Sequence, residues 1–495
     1  MRALARHSPR NTLAVVIHIS RTLGWTTNQK KVSPVHINSR FVHSDNRAVP
    51  KTISPQPFLS QTGLAQPQGT FKLSLHVSTI AFRQYSTTTP PRPNTSPSSS
   101  VSDSPFAYNH PSHRPLEGVL VIALEQVISG PYCTRQLADL GARVIKVERP
   151  GTGDFVRYHD KRVLGQLCSH FVWTNRNKES LALDIKKEDD LHILKELVKK
   201  ADVFVQNLVP GAAERHGLGY EELKETNERL IMCEISGYGS DGPYKTKKAY
   251  DLLVQSEAGL LSITGTPETP SKVGCSIADI SAGMYAYSSI MAALLQREKT
   301  GKGCRIDVSM LESMVEWMGF PMLYAYNGQP PPQRAGASHA SIYPYGPFET
   351  GSGKVMLGLQ NDREWVILCE QVLEMPELIR DERFKNTARR SDNRDELYEI
   401  ICGRFLTRSA EEVVEKLEKA GIANARLNEM SDVWEHPQLE ARKRFAQVET
   451  EAGTVRTSIP PGMSGDVEPR LDPVPAIGQH NEKILSEFGL ERKSA

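Results

Sequence analysis

The sequence predicts an α/β protein: a large Rossmann-like domain built on a mostly parallel sheet, followed by a smaller α+β domain. Three observations carry this. From residue 116 to residue 309, short apolar runs alternate with amphipathic helical stretches, a repeat that right-handed crossovers turn into a parallel sheet. A Pro-rich break, Gln329-Pro-Pro-Pro-Gln333, then interrupts the chain. Beyond it, residues 341–427 mix short strands with charged helices, the pattern of a second, smaller unit.

The elements follow in order. Residues 119–124 form an apolar run short enough for a fully buried strand. Pro131 opens a helix that runs to Leu140 and stops at Gly141. Strands are predicted at 144–147 and 180–185. A helix at 189–200 places Leu191, Leu194 and Val198 on one face. Strands at 203–205 and 231–235 flank a helical stretch at 220–229. A long apolar helix then covers about 279–296, before a strand at 305–309 and a helix at 311–326. The C-terminal segment, 436–495, is Pro-rich until a short helix at 482–488, and is expected to return to the large domain.

Charge is distributed unevenly. Residues 1–85 hold eleven of the 60 Lys/Arg but one of the 58 Asp/Glu, Asp45, which leaves 49 against 57 for the remainder, net −8. An Arg/Ser/Thr-rich, acid-poor start reads as a mitochondrial transit peptide ending near Arg83-Gln84-Tyr85-Ser86 and directing the chain to the matrix. Residues 86–113 are rich in Ser, Thr and Pro and read as a disordered linker. The expected plan is therefore 1–85 transit peptide, 86–113 linker, 114–328 large domain, 329–435 small domain with its linker, and 436–495 returning segment. A net −8 after residue 85 argues against nucleic acid as a partner. No apolar run is long enough to span a membrane. Seven cysteines without a CxxC pair offer neither a zinc site nor a disulfide framework, and no metal is expected.

The chemistry is expected at the carboxyl ends of the strands, where an open α/β sheet collects ligands. The turn before Gly130-Pro131 lacks G-x-G-x-x-G, which argues against a dinucleotide. Basic and amide residues gather near strand ends instead: Arg149, Lys178, Asn207 and Arg215. Asp279 falls where the loop Gly274-Cys-Ser-Ile-Ala meets the long helix. An aspartate there serves as a helix cap or, held ionised by the helix N-terminus, as a covalent nucleophile.

A set of ordered motifs then resembles the family III CoA-transferases of the CaiB/BaiF type. They are Leu116-Glu-Gly-Val-Leu-Val-Ile, Gly130-Pro131, the run from Leu140 through Glu148-Arg149 to Gly153-Asp154, and Asn175-Arg-Asn-Lys178. Gly237-Tyr-Gly239, Tyr250-Asp251, Ala278-Asp279, Lys299-Thr-Gly-Lys-Gly303 and Ile477-Gly-Gln-His480 continue the series. The resemblance implies that Asp279 is the catalytic aspartate and that Arg149, Lys178, Asn207, Arg215 and Lys248 lie at positions contacting coenzyme A. It also implies two chains threaded through each other as an interlocked homodimer. Acyl-CoA and carboxylic acids would be the substrates, with no permanently bound cofactor.

The same comparison separates branches. The racemases of this family place a histidine where Tyr250 stands, and a phenol is a poor base near neutral pH. Ile128 replaces the glutamine of the formyl-CoA branch, whose tetraglycine loop gives way to a segment from Arg334 to Tyr345. That segment resembles the dicarboxylate-using branch, so Arg334 and His339 are expected to bind substrate, while His480 is read as structural. Two other readings stand beside CoA transfer. An acyl-CoA racemase would exchange the α-proton of a 2-methylacyl-CoA, and a silent CoA-binding protein would bind without turnover.

Overall fold

The computed structural model describes residues 114–462 and 467–492, so the expected transit peptide and linker lie outside the described residues. Six strands form one sheet: β1 (Leu120–Leu124), β2 (Arg143–Glu148), β3 (Lys178–Ala182), β4 (Val203–Gln206), β5 (Ile231–Ser236) and β6 (Arg305–Ser309). Their order is β3-β2-β1-β4-β5-β6, and every neighbouring pair is parallel. The strand order thus reverses between β1 and β4, which run parallel, and opens a crevice at their carboxyl ends.

Alternation along each strand divides the core in two. Val121, Val203, Val205, Ile231 and Cys233 pack with Leu137 and Ala138 of the helix Ser129–Asp139 and with Ala282, Ala286 and Ile290 of the long helix Ile277–Thr300. Ile122, Ile145, Leu181, Phe204 and Met232 face the opposite layer, where Ile193, Leu194, Leu197 and Val198 of the helix Glu188–Lys199 cover them.

A three-stranded antiparallel sheet follows: β7 (Tyr345–Thr350), β8 (Gly353–Gly358) and β9 (Ala423–Arg426). Its core holds Phe348, Val355, Leu357, Trp365, Phe384, Phe405 and Leu417. The Pro-rich tail contains a hairpin, β10 (Phe445–Thr450) and β11 (Gly453–Ser458), that hydropathy did not reveal because each strand buries a single residue, Val448 and Val455. The chain then passes along β3, an edge strand. There His480 Nδ1 accepts the Ser180 amide at 3.1 Å and Asn481 Oδ1 accepts the Ala182 amide at 2.8 Å, satisfying donors an open edge would expose.

Several boundaries differ from the sequence reading. The first helix starts at Ser129, two residues before Pro131, so its free amides point into the crevice. Lys178 is the first residue of β3 rather than lying ahead of it. The predicted helix at 311–326 is two, Met310–Trp317 and Gly319–Tyr324, and Trp317, Phe320 and Leu323 are exposed on them at 46%, 62% and 74%. Among the described residues no helix is long and apolar enough to cross a membrane.

Candidate active site

A cleft of about 380 Å³ opens at the carboxyl ends of β1, β4, β5 and β6. The loop after β1 contributes Gln126, Val127 and Ser129, and Asn207 follows β4. Gly237, Lys247, Lys248, Tyr250 and Asp251 follow β5, Met310 follows β6, and Asp279 completes the lining.

Asp279 is the third residue of the helix Ile277–Thr300, not its cap. Asp251, the first residue of the helix Asp251–Glu257, does the capping from outside: its Oδ1 accepts the Ala278 amide at 2.7 Å and the Asp279 amide at 3.4 Å. Gln255 Nε2 donates to the other Asp251 oxygen at 2.6 Å. The Asp279 carboxylate in turn accepts hydrogen bonds from the hydroxyl and the amide of Ser129. Two helix N-termini therefore converge on one carboxyl group.

Close approach of those helices depends on glycine. A Cβ on Gly283 would stand 2.8 Å from the Ser129 carbonyl and 3.1 Å from Tyr132 Cδ1. One on Gly130 would stand 2.9 Å from Glu125 Cβ and 3.3 Å from Asn207 Cγ. Bare backbone at both positions lets Ser129 reach Asp279.

Burial raises the Asp279 pKa from 3.8 to about 7, and the nearby Asp251 charge adds to the rise. The Ser129 hydrogen bonds pull in the opposite direction and are outweighed. The result is a carboxyl group ionised over half its population near neutral pH, poorly solvated and aimed into the cleft. Such a group attacks a carbonyl carbon more readily than a hydrated carboxylate does.

The structure thus brings Asp279, Asn207 and Lys248 together around one cleft. Asn207 serves the loop beside it: its Oδ1 accepts the Gln126 amide, and its Nδ2 donates to the Gln126 carbonyl, both at 2.8 Å, with Ser129 Oγ at 3.3 Å. Arg149 and Arg215 are exposed past β2 and β4, outside the residues lining the cleft.

Lys178 lies outside the lining of the cleft. Its side chain is fully buried, and Nζ donates to Glu125 Oε1 at 2.8 Å, the Pro131 carbonyl at 2.9 Å and Asn175 Oδ1 at 3.0 Å. Burial lowers its pKa to about 8, although Glu125 favours the charge. All three donors are committed within the protein, so Lys178 braces the loop from beneath and has no donor for a ligand.

Arg334 and His339 lie outside the residues lining the cleft of Asp279. The Arg334 guanidinium holds a turn, donating from Nε to the Thr266 carbonyl at 2.8 Å and from Nη2 to the Pro267 carbonyl at 2.7 Å. It lines a separate cleft with Pro330 and Tyr343 rather than that of Asp279. His339 Nδ1 accepts the amides of Ser341 and Ile342 at 3.2 and 3.1 Å, and its ring stacks on Tyr345. Within one chain both residues organise the 334–345 segment.

Ser129, Asp251, Gly283 and Asp154 were not singled out by the sequence reading as site residues. Tyr250-Asp251 and Gly153-Asp154 sat inside motifs, but their roles come from contacts distant in sequence. Asp160, Cys168 and His170 are the one group of metal-competent side chains among the described residues. Asp160 Oδ2 already accepts the Cys168 thiol at 3.4 Å and the Ser169 hydroxyl at 2.7 Å, so hydrogen bonding accounts for their clustering.

The sequence matches the model of CoA-transferase family III over residues 116–481. It is 38% identical to the succinyl-CoA:glutarate CoA-transferase of Homo sapiens, over 76% of this chain and 86% of that protein. It is 33% identical to the succinate–glutarate CoA-transferase of Agrobacterium fabrum, over 77% of this chain and 97% of that protein. The crystal structure of a CaiB/BaiF family protein from Brucella suis superposes with a TM-score of 0.68 at 32% identity, covering 76% of this chain and all of that one. A parallel six-stranded sheet, a carboxyl group poised in its crevice and a family match spanning nearly all of the described chain lead to one conclusion: the protein belongs to the family III CoA-transferases and is a CoA-transferase.

Proposed function

We propose that this enzyme moves CoA from succinyl-CoA to a small dicarboxylate, such as glutarate or itaconate, through covalent intermediates on Asp279. The observation that carries the reading is the Asp279 carboxyl group, with a pKa of about 7, gripped by the Ser129 hydroxyl and amide at the cleft. Similarity to enzymes named for succinyl-CoA and glutarate supports the choice of substrates.

Ionised Asp279 attacks the thioester carbonyl. The C–S bond breaks, leaving an aspartyl-acyl anhydride and CoA thiolate. The thiolate then attacks the aspartyl carbon, releasing the acyl group as free carboxylate and leaving an aspartyl-CoA thioester. The acceptor carboxylate attacks that thioester, giving a new anhydride and thiolate. Return of the thiolate to the acceptor acyl carbon forms the product thioester and frees Asp279. Thioester energy is conserved, and neither ATP nor a redox step enters. When the aspartyl carbon becomes tetrahedral, its oxyanion occupies a position the Ser129 donors already address. Losing one such donor typically costs about a hundredfold or more.

The exposed Trp317, Phe320 and Leu323 support assembly as a homodimer, since three large apolar side chains left in solvent within seven residues favour a partner. The acid-poor, Arg-rich residues 1–85 support delivery to the mitochondrial matrix.

The test is transfer itself. Purified protein is given succinyl-CoA or acetyl-CoA with a panel of carboxylates, and products are read by mass spectrometry. Glutaryl- or itaconyl-CoA should form, and hydroxylamine should inactivate the wild type only after acyl-CoA is added. Asp279→Ala that keeps more than a few per cent of activity would exclude the covalent role.

A further inference from the structure

The loop that presents Ser129 contains a backbone conformation its sequence disfavours. Val127 has φ +65°, in the left-handed region that β-branched residues almost never enter. Such a conformation persists only where the surroundings over-determine it.

They do so here. Asn207 grips the Gln126 peptide from both sides, as described above. One residue on, the Val127 amide donates to both oxygens of Asp154, at 3.2 and 3.1 Å. Asp154 is 2% exposed and Lys146 is wholly buried. Lys146 Nζ donates to Asp154 Oδ2 at 3.0 Å and to the Glu125 carbonyl at 3.2 Å. The buried pair therefore clasps the loop at Glu125 and at Val127, immediately before the helix whose first amide meets Asp279.

We propose that Asp154 is a positioning residue for the transfer reaction: paired with Lys146, it holds Val127 in its left-handed conformation and so aims the Ser129 donors at Asp279. The inference rests on the covalent role of Asp279 proposed above. It explains why an aspartate at the end of Gly151-Thr-Gly-Asp154 is buried against a lysine beneath the crevice. Asp154 has a second task, since its Oδ1 also accepts the Val156 amide at 3.0 Å and so caps the turn Phe155–Tyr158. The experiment must separate the two.

Asp154→Asn is compared with wild type and with Asp279→Ala in the full-chain enzyme, using succinyl-CoA and glutarate. The substitution keeps the shape but leaves one acceptor oxygen and no charge at position 154, so that Glu125 Oε1, at 3.6 Å, is left as the ion-pair partner of Lys146. It should lower kcat about ten- to a hundredfold and change KM for succinyl-CoA less than about threefold. Glycine adopts φ +65° without strain, so adding Val127→Gly to Asp154→Asn should recover kcat at least about fivefold. Should Asp154→Asn not accumulate as folded protein, Asp154→Glu keeps the charge and displaces the acceptor, and should lose kcat comparably. Wild-type kcat in either Asp154 variant, alongside an inactive Asp279→Ala, would overturn the positioning role while leaving the function intact. A kcat loss that Val127→Gly does not relieve would also overturn it, because Asp154 would then act through the Phe155–Tyr158 turn or Lys146 alone. An active Asp279→Ala would instead remove the functional reading beneath it.

Discussion

Asp251 Oδ1 accepts the backbone amide of Asp279 at 3.4 Å, so the residue that caps the helix of Asp279 is also a like charge beside its carboxyl group. Structure and electrostatics are joined there. The cap secures the helix start, while its charge, added to the larger effect of burial, lifts the Asp279 pKa to about 7. As the proposed nucleophile, Asp279 must be ionised, so kcat/KM should fall as pH drops through about 7. Asp251→Asn keeps an oxygen for the Ala278 and Asp279 amides but removes the charge. It should move the acid limb of the pH–rate profile to lower pH. An unmoved limb would assign the rise in pKa to burial alone.

The same group should cost stability. A carboxyl group with a raised pKa contributes stability that is fully present below its unfolded pKa, near 3.8, and lost as pH rises through about 7. Asp279→Asn, which cannot ionise, should therefore be more stable than wild type, with a larger difference at pH 8 than at pH 5. The shift corresponds to on the order of a few kcal/mol at most. Thermal unfolding at the two pH values reads it. A pH-independent difference would mean that Asp279 is not held away from solvent as its surroundings imply.

Gly283→Ala tests the approach of the two helices. Its Cβ would stand 2.8 Å from the Ser129 carbonyl, which cannot swing aside as a side chain would. Overpacking of this kind typically costs about 1–3 kcal/mol. We expect far-UV circular dichroism to stay unchanged and kcat to fall roughly tenfold as Ser129 is pushed from Asp279. Unaltered kcat would show that the helices can separate without disturbing the carboxyl group.

The sheet was readable because its central strands, Leu120–Leu124 and Val203–Gln206, are mostly apolar on both faces and a helix such as Glu188–Lys199 carries clear 3.6-residue periodicity. The crevice at the strand ends follows from that topology; the start of the long helix left Asp279 open as cap or nucleophile, and the resemblance to the family singled it out. What escaped the sequence was partnership. Nothing local to Lys178 announces that Glu125 neutralises it across the sheet, so a buried brace read as a ligand contact. Val127 has no turn-forming chemistry, and its left-handed backbone exists only because Asn207 and Asp154 grip the peptides around it. The β10–β11 hairpin buries only Val448 and Val455, one residue per strand, so its spans are too short and polar to stand out among prolines.

Arg334 offers the sharpest test of how the 334–345 segment works. A guanidinium that selected dicarboxylates would keep its fork open for a carboxylate oxygen pair. Here Nε and Nη2 are already donating to the carbonyls of Thr266 and Pro267, at 2.8 and 2.7 Å, and the backbone of the segment adds a bond from the Gly336 amide to the Gly265 carbonyl, also at 2.8 Å. Arg334 therefore ties the turn at Thr266-Pro267 to the 334–345 segment. Hydrogen bonds from a charged group are worth about 1.5–3 kcal/mol each, enough for Arg334→Ala to loosen that turn measurably. Looseness in a turn does not distinguish one acid from another. Glutarate and butyrate should consequently lose rate to a similar degree, within about threefold of each other, and proteolysis near residues 262–267 should quicken. Steady-state kinetics of wild type and Arg334→Ala with both acids decide the matter. A loss of tenfold or more confined to glutarate would mean that the guanidinium leaves its carbonyls to meet the distal carboxylate, and would restore Arg334 as the residue that selects the substrate.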